Sequence, residues 1–97
     1  MKKVFKKVKY FTKSVLKDQN SQNYLNKLKT EILEVEEDPT NIEEFSDCLI
    51  ALLAASSTAG FSYKQLKKSA LKKIKKNIKR TWERQSDGTF QHVKTKS

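Results

Sequence analysis

The chain has 97 residues, of which 36% are hydrophobic, and it carries a net charge of +10. A chain this short buries only about 60 to 65% of its unfolded surface, so we expect one thin core and self-association into a dimer or tetramer. The one cysteine, Cys48, excludes an intramolecular disulfide and a cysteine-ligated zinc cluster. The single cysteine also favours a reducing compartment, which predicts a cytoplasmic protein. No apolar run approaches the ~20 residues of a membrane-spanning helix, so we expect no membrane partner.

The first predicted element is a basic helix within residues 1–20. Its apolar residues recur at helical spacing, with lysines between them: Val4, Phe5, Val8, Phe11, Val15 and Leu16. Because seven lysines lie in residues 1–17, the segment is also compatible with a mobile basic arm.

A second helix is predicted between the polar stretch of residues 18–21 and Asp38, because Pro39 disfavours helix in the residue before it. Its apolar residues also follow helical spacing: Tyr24, Leu25, Leu28, Ile32 and Val35. A third helix is predicted over residues 42–59. Thr40 and Glu43 have the spacing of a capping box at its start, and Gly60 supplies a left-handed cap at its end.

Ser62 and Gln65 predict a second capping box, which opens a fourth, lysine-rich helix. The apolar stripe of this helix contains Leu66, Ala70 or Leu71, Ile74, Ile78 and Trp82. These segments predict an all-α fold, a small antiparallel bundle of about four helices completed by homo-oligomerisation. The helical core is assigned to residues 21–84, and residues 85–97 form a tail with a turn at Asp87 and Gly88.

Four carboxylates are spaced so that the second and third helices bring them together: Glu31, Glu34, Glu44 and Asp47. The members of each pair are three residues apart and project from one helix face. A short loop makes the two helices antiparallel neighbours, which places the pairs at matched levels. Four such charges repel one another unless a cation joins them, and all-oxygen ligation favours Mg²⁺ or Mn²⁺.

A solvated acidic face is the alternative explanation of this cluster. It accounts well for four of the neighbouring acids: Glu36, Glu37, Asp38 and Glu43. It accounts poorly for Asp47, which lies in a nearly uncharged segment, residues 45–55, that we expect to be the most buried in the chain. A buried, unpaired carboxylate is costly, so Asp47 favours the metal site.

A family resemblance rests on these same residues. The run TEILEVEEDPTNIEEFSDCLIALLAASSTAGFSYKQL resembles the core of MazG-like pyrophosphohydrolases, which pair Glu-x-x-Glu on one helix with Glu-x-x-Asp on the next. The short loop and the following KKIKKNIKRTW resemble, more narrowly, the dATP/dGTP diphosphohydrolase N-terminal domain family. The likeness extends over about residues 27–93.

The resemblance implies a hydrolase that converts a nucleoside triphosphate, with dATP and dGTP as candidates, to the monophosphate and pyrophosphate. The four carboxylates would hold Mg²⁺ or Mn²⁺, and one of them is a candidate general base instead of a ligand. A metal of this kind stabilises charge on the phosphates and lowers the pKa of a bound water, which attacks the α-phosphorus.

Basic and aromatic residues near the C-terminus complete the predicted site. Lys73, Asn77 and Arg80 recur on one helix face and match the family's positions, so we expect them to bind phosphate or nucleotide. Trp82 is a candidate subunit anchor or base-stacking platform, with the anchor preferred. His92 is a candidate contact for phosphate or base.

Two other classes of function stay open. A basic helical protein that binds nucleic acid through its first and fourth helices predicts salt-dependent binding without a metal requirement. An inactive MazG-like oligomer predicts no turnover. The enzyme is preferred because 8 of the 11 acidic residues fall between Glu31 and Asp47, and a general nucleic-acid binder gains nothing from such a block.

Overall fold

A computed structural model describes residues 1–93 of the chain. It contains four helices followed by two short strands: α1 (Lys2–Tyr10), α2 (Ser21–Glu37), α3 (Ile42–Thr58), α4 (Tyr63–Lys79), β1 (Trp82–Arg84) and β2 (Phe90–His92). A π-helical turn, Phe11–Val15, continues α1. The chain forms two compact units, Met1–Leu66 and Lys67–Ser97, the second described as far as Val93. The mostly helical fold with four helices is as predicted.

The core of the first unit is built by three helices. Its buried residues come from α1, α2 and the end of α3: Phe5, Val8, Tyr24, Leu53, Ala54 and Ala55. Side chains from the start of α4, Tyr63 and Leu66, pack against them. Because Phe5 and Val8 are only 4% and 5% exposed, the basic N-terminal segment is a packed helix in which the lysines face outward.

Helices α2 and α3 pair along one another. Four residues, 38–41, join the end of α2 to the start of α3. At the opposite end, the Ser21 hydroxyl donates a 2.9 Å hydrogen bond to the Ala55 carbonyl. The start of α2 therefore lies beside the last turn of α3, and the two helices run antiparallel, as the short loop predicts.

The start of α3 differs from the predicted capping box. The N-cap is Asn41, not Thr40, and its Oδ1 accepts a 3.0 Å hydrogen bond from the Glu43 backbone N–H. Thr40 lies one residue too early, in the turn after Pro39. Asparagine is as good a cap as threonine or better, so the helix begins where its own cap allows.

The turn between α3 and α4 follows the prediction. Gly60 has φ +101° and the Phe61 N–H donates to the Ser56 carbonyl at 3.2 Å, which closes α3 as a left-handed glycine cap. Ser62 and Gln65 exchange reciprocal hydrogen bonds of 3.2 and 2.9 Å. This capping box confirms the predicted start of the fourth helix.

The second unit contains a hairpin that an all-α fold does not include. Strands β1 and β2 are antiparallel, with Trp82 opposite His92 and Arg84 opposite Phe90. Trp82 therefore lies in a strand, and its assignment to the fourth helix is wrong. The reason is cross-strand pairing around the turn at Asp87 and Gly88, which favours extended backbone for β-preferring residues such as Trp82.

Within residues 1–93, no single helix is both long and apolar enough to cross a membrane. The pair Ile42–Thr58 and Tyr63–Lys79 reaches that length and composition only when its two helices are taken together across their bend. Residues 94–97, the end of the predicted tail, lie outside the described part of the chain.

Candidate metal centre

The paired helices bring the four predicted carboxylates together. One carboxylate oxygen from each of four residues lies within 4.8 Å of the others: Glu31 and Glu34 on α2, and Glu44 and Asp47 on α3. The spacing within each helix and the short loop between the helices are sufficient to produce this convergence. The sequence-based prediction of a shared acidic site is thus realised in the geometry.

Two oxygens of the cluster are buried without a hydrogen-bond partner among the described residues. They are Oε2 of Glu31 and Oε2 of Glu44. Glu31 is 5% exposed, which makes it the most buried charged residue described. An ionised oxygen removed from water requires a positive partner. The donor set, all carboxylate oxygen, fits a hard divalent cation such as Mg²⁺ or Mn²⁺.

The burial within the cluster differs from the prediction. Asp47 is exposed, and Glu31 is the buried member. The core residues of α3 all lie in its C-terminal half, Ala51 and Leu53–Ala55, so residues 45–50 are not the most buried part of the chain. The free-energy cost of burying a charge therefore applies to Glu31. The prediction that Asp47 is buried, and the argument for a metal site that used it, are wrong.

The carboxylates of α2 have pKa values shifted in opposite directions. The Lys27 ammonium, 2.8 Å from Oε1 of Glu31, lowers the pKa of Glu31. The neighbouring Glu31 raises the pKa of Glu34, with a smaller contribution from Glu44. Like charges held close together make the second ionisation harder. The cluster thus carries uncompensated negative charge that one lysine only partly offsets.

Cys48 lies beside the cluster. Burial, followed by the charge of Glu31 and of the other three carboxylates, raises the pKa of the Cys48 thiol. A thiol needs a lowered pKa to act as a nucleophile near neutral pH. Cys48 is therefore a half-buried packing residue, and the chemistry of the site belongs to the carboxylates.

A largely apolar cavity of about 340 Å³ adjoins the cluster. Glu31, Asp47 and Lys27 form its polar edge, and its other walls are Phe11, Leu16, Tyr24, Ile50, Ala51 and Ala54. From their spacing in the sequence, these wall residues are expected only to pack between helices. Lys27, four residues before Glu31, had the spacing of a helical ion pair and was the one signal in the sequence that pointed to this edge.

The predicted phosphate-binding residues lie in the second unit. The Arg80 guanidinium donates a 3.2 Å hydrogen bond to the Asn77 side chain, and both residues are half-buried. The Trp82 indole N–H donates to the Asn77 carbonyl at 2.8 Å, and its ring centroid lies 6.1 Å from that of His92. Lys73 is exposed. The structure therefore connects Asn77 to both Arg80 and Trp82, and Trp82 in turn to His92.

Comparison with known families decides the identity of the fold and its class of chemistry. The sequence model of the dATP/dGTP pyrophosphohydrolase family matches residues 6–97. The chain belongs to this family. As a dATP/dGTP pyrophosphohydrolase family member it is a hydrolase that acts on nucleotides, which confirms the predicted enzyme class. The match begins at residue 6, within α1, and thus includes the second half of the N-terminal helix, beyond the predicted likeness over residues 27–93.

A solved structure agrees with this family assignment. This chain has the fold of the cyanophage S-2L MazG-like pyrophosphohydrolase. The solved structure of that protein is bound to dGDP and three catalytic Mn²⁺ ions per active site. The TM-score is 0.81 at 21% sequence identity, and the match covers 95% of each chain. No curated protein matches the sequence. The predicted MazG-like helical fold is confirmed.

Proposed function

We propose that this family member hydrolyses a deoxynucleoside triphosphate, dATP or dGTP, to the monophosphate and pyrophosphate, with Mg²⁺ or Mn²⁺ held by Glu31, Glu34, Glu44 and Asp47. The observation that carries the proposal is the convergence of the four carboxylates within 4.8 Å, two of which have a buried oxygen with no hydrogen-bond partner in residues 1–93. A purely solvated acidic face would leave every one of those oxygens in water.

The proposed chemistry follows from the charge of the site. When bound, a divalent cation stabilises charge on phosphate oxygens and lowers the pKa of a nearby water. The carboxylates alone would repel a triphosphate, so substrate binding at this cluster requires the cation. One carboxylate that is not a ligand would serve as general base, since each lies within 4.8 Å of the others.

The cavity beside the cluster suits the base of the nucleotide. Its walls are apolar, its polar edge is formed by Lys27 and two carboxylates of the cluster, and about 340 Å³ accommodates a purine. The Phe11 side chain is 39% exposed and lines the cavity, so an aromatic ring is available for contact with a base. We assign the base to this cavity and the phosphates to the carboxylate side.

The roles of the C-terminal residues stay proposals. Lys73 and Arg80 offer positive charge and Asn77 a neutral amide to a phosphate, as the family's positions imply. The Asn77 side chain already accepts from Arg80 and holds it in place. Trp82 and His92 are retained as candidates for a base contact or an interface.

We also propose that the antiparallel bundle is completed by a second copy of the chain. Large apolar side chains are exposed on one face of α3: Ile42 at 77%, Phe45 at 52% and Leu52 at 47%. They recur at spacings of three and seven residues, which is one helix face. A contiguous exposed apolar stripe marks an interaction surface, and small chains gain buried area by oligomerising.

A nucleotide screen tests the proposed reaction. The protein is incubated with Mg²⁺ or Mn²⁺ and each of the common ribo- and deoxynucleoside triphosphates, and the products are separated by ion-exchange chromatography. We expect monophosphate and pyrophosphate in equal amounts, with dATP or dGTP preferred, and no turnover in the presence of a chelator. Release of orthophosphate with the diphosphate would contradict the proposed bond cleavage.

A further inference from the structure

The ion pair of Lys27 with Glu31 stands apart from the other charges of the chain. Of the 21 lysines and arginines in the sequence, Lys27 is the one that pairs with an aspartate or glutamate within residues 1–93. The partner is the buried member of the carboxylate cluster. Its side chain is 7% exposed, whereas the Lys27 side chain is 61% exposed.

We infer that Lys27 occupies the place of the divalent cation at Glu31 and, once that cation displaces it, binds a phosphate of the substrate. The inference rests on the proposed function, because it requires the cation to bind at the cluster. The Lys27 ammonium contacts Oε1 of Glu31 at 2.8 Å, and Oε2 of the same carboxylate has no partner among the described residues. One ammonium therefore neutralises only part of the carboxylate charge that a divalent cation would neutralise.

The ion pair is poorly explained as a helix-stabilising contact. Within a helix, a lysine that precedes a glutamate by four residues is the less favourable order. Ion pairs with an exposed member also contribute little to stability. A buried carboxylate, by contrast, needs a positive partner in every state of the site. Lys27 meets that need while its long, exposed side chain stays free to leave.

The surroundings of Lys27 suit the binding of its ammonium to a phosphate after it has left Glu31. Lys27 lines the apolar cavity assigned to the base and also a second cavity of about 680 Å³, whose lining is mixed polar and apolar. The polar groups of this second cavity include the amides of Asn23 and Asn26, the Thr30 hydroxyl and the Asp18 carboxylate. A phosphate chain is well bound by neutral donors together with one ammonium point charge. The released side chain therefore has an anionic partner within reach on the same face.

Substitution of Lys27 tests both steps of the inference, the displacement of Lys27 by the cation and its binding to phosphate. Lys29 is the matched control. Lys29→Met removes the same charge from an exposed position on α2 that is two residues away and hence on another face. Mn²⁺ binding to Lys27→Met, Lys29→Met and the unchanged protein is measured by calorimetry without nucleotide. We expect Lys27→Met to bind Mn²⁺ about twofold to fivefold more tightly than Lys29→Met, because the competing ion pair is lost.

The second measurement uses a non-hydrolysable α,β-imido deoxynucleoside triphosphate at saturating Mn²⁺. We expect Lys27→Met to bind this analogue about tenfold more weakly than Lys29→Met does, because a charged hydrogen bond to phosphate is lost. Equal Mn²⁺ affinity in the two variants overturns the inference, and equal analogue affinity overturns its second step. Absence of Mn²⁺ binding in the unchanged protein instead overturns the proposed function, so the two failures are distinguishable.

Discussion

Glu44 contributes a carboxylate from α3 to the candidate metal centre, and its buried Oε2 has no protein partner among residues 1–93. Glu44→Gln keeps the shape of the side chain and removes the charge. We expect turnover to fall by more than about a hundredfold, since even residues that only support a metal ligand cost 10–100-fold when changed. The melting temperature should also lose its rise with Mn²⁺.

The control for this substitution is Glu43→Gln. Glu43 is the adjacent acid in the first turn of α3 but is not a member of the cluster. Near-normal turnover and Mn²⁺ response are expected for it. If both variants lost activity equally, the effect would be one of net charge near the helix start, and the assignment of Glu44 as a ligand would fail.

Phe11 tests the assignment of the base to the apolar cavity. Phe11→Ala should lower kcat/KM for the preferred deoxynucleotide about tenfold, the magnitude expected from losing one aromatic contact with a base. Mn²⁺ affinity and hydrolysis of inorganic tripolyphosphate, which has no base, should not change. Tyr10→Ala is the control, because Tyr10 is exposed and does not line the cavity. Equal losses on tripolyphosphate would refute the assignment.

At the scale of secondary-structure elements, we expect the stability of the hairpin turn to depend on pH. The side-chain hydroxyl and backbone N–H of Thr89 donate to Oδ1 of Asp87, at 2.6 and 3.0 Å, and lower the pKa of Asp87 below its ordinary value of 3.8. A lowered pKa in the folded state stabilises the hairpin above that ordinary value. This stability is lost as the pH falls through the lowered pKa.

An NMR titration of the Asp87 carboxyl group checks this prediction. The midpoint should lie below that of an unfolded peptide with the same sequence, and Thr89→Val should move it upward because the hydroxyl donor is removed. A midpoint unaffected by Thr89→Val would show that the side-chain hydrogen bond does not hold the turn. The amide of Gly88, in the same turn, should report the same transition.

At the scale of the whole molecule, the exposed apolar face of α3 predicts self-association. Phe45→Glu places a charge on this face, and we expect it to shift the chain toward a monomer in size-exclusion chromatography with light scattering. The control, Tyr10→Glu, introduces the same charge at an exposed aromatic residue on α1. An unchanged mass for Phe45→Glu, or an equal shift for both variants, would contradict an interface on this face.

Local sequence patterns predict much of the architecture and of the carboxylate site. The four helices follow from apolar periodicity, and the capping box of Ser62 and Gln65 marks the start of α4 correctly, because such contacts are made within one turn of chain. The convergence of the carboxylates can also be predicted from the sequence. A four-residue loop allows the two helices it joins to pack in few ways other than as antiparallel neighbours.

Other features depend on contacts between distant parts of the chain, and only the tertiary structure decided them. Burial of Glu31 in place of Asp47 depends on which half of α3 the other helices cover. Trp82 lies in a strand and not in a continuation of α4, because its cross-strand partner, His92, lies ten residues further along the chain, beyond the reach of helical periodicity. The sequence by itself determined which residues are neighbours along a helix; packing determined which of them lose water, and the loss of water sets their charge chemistry.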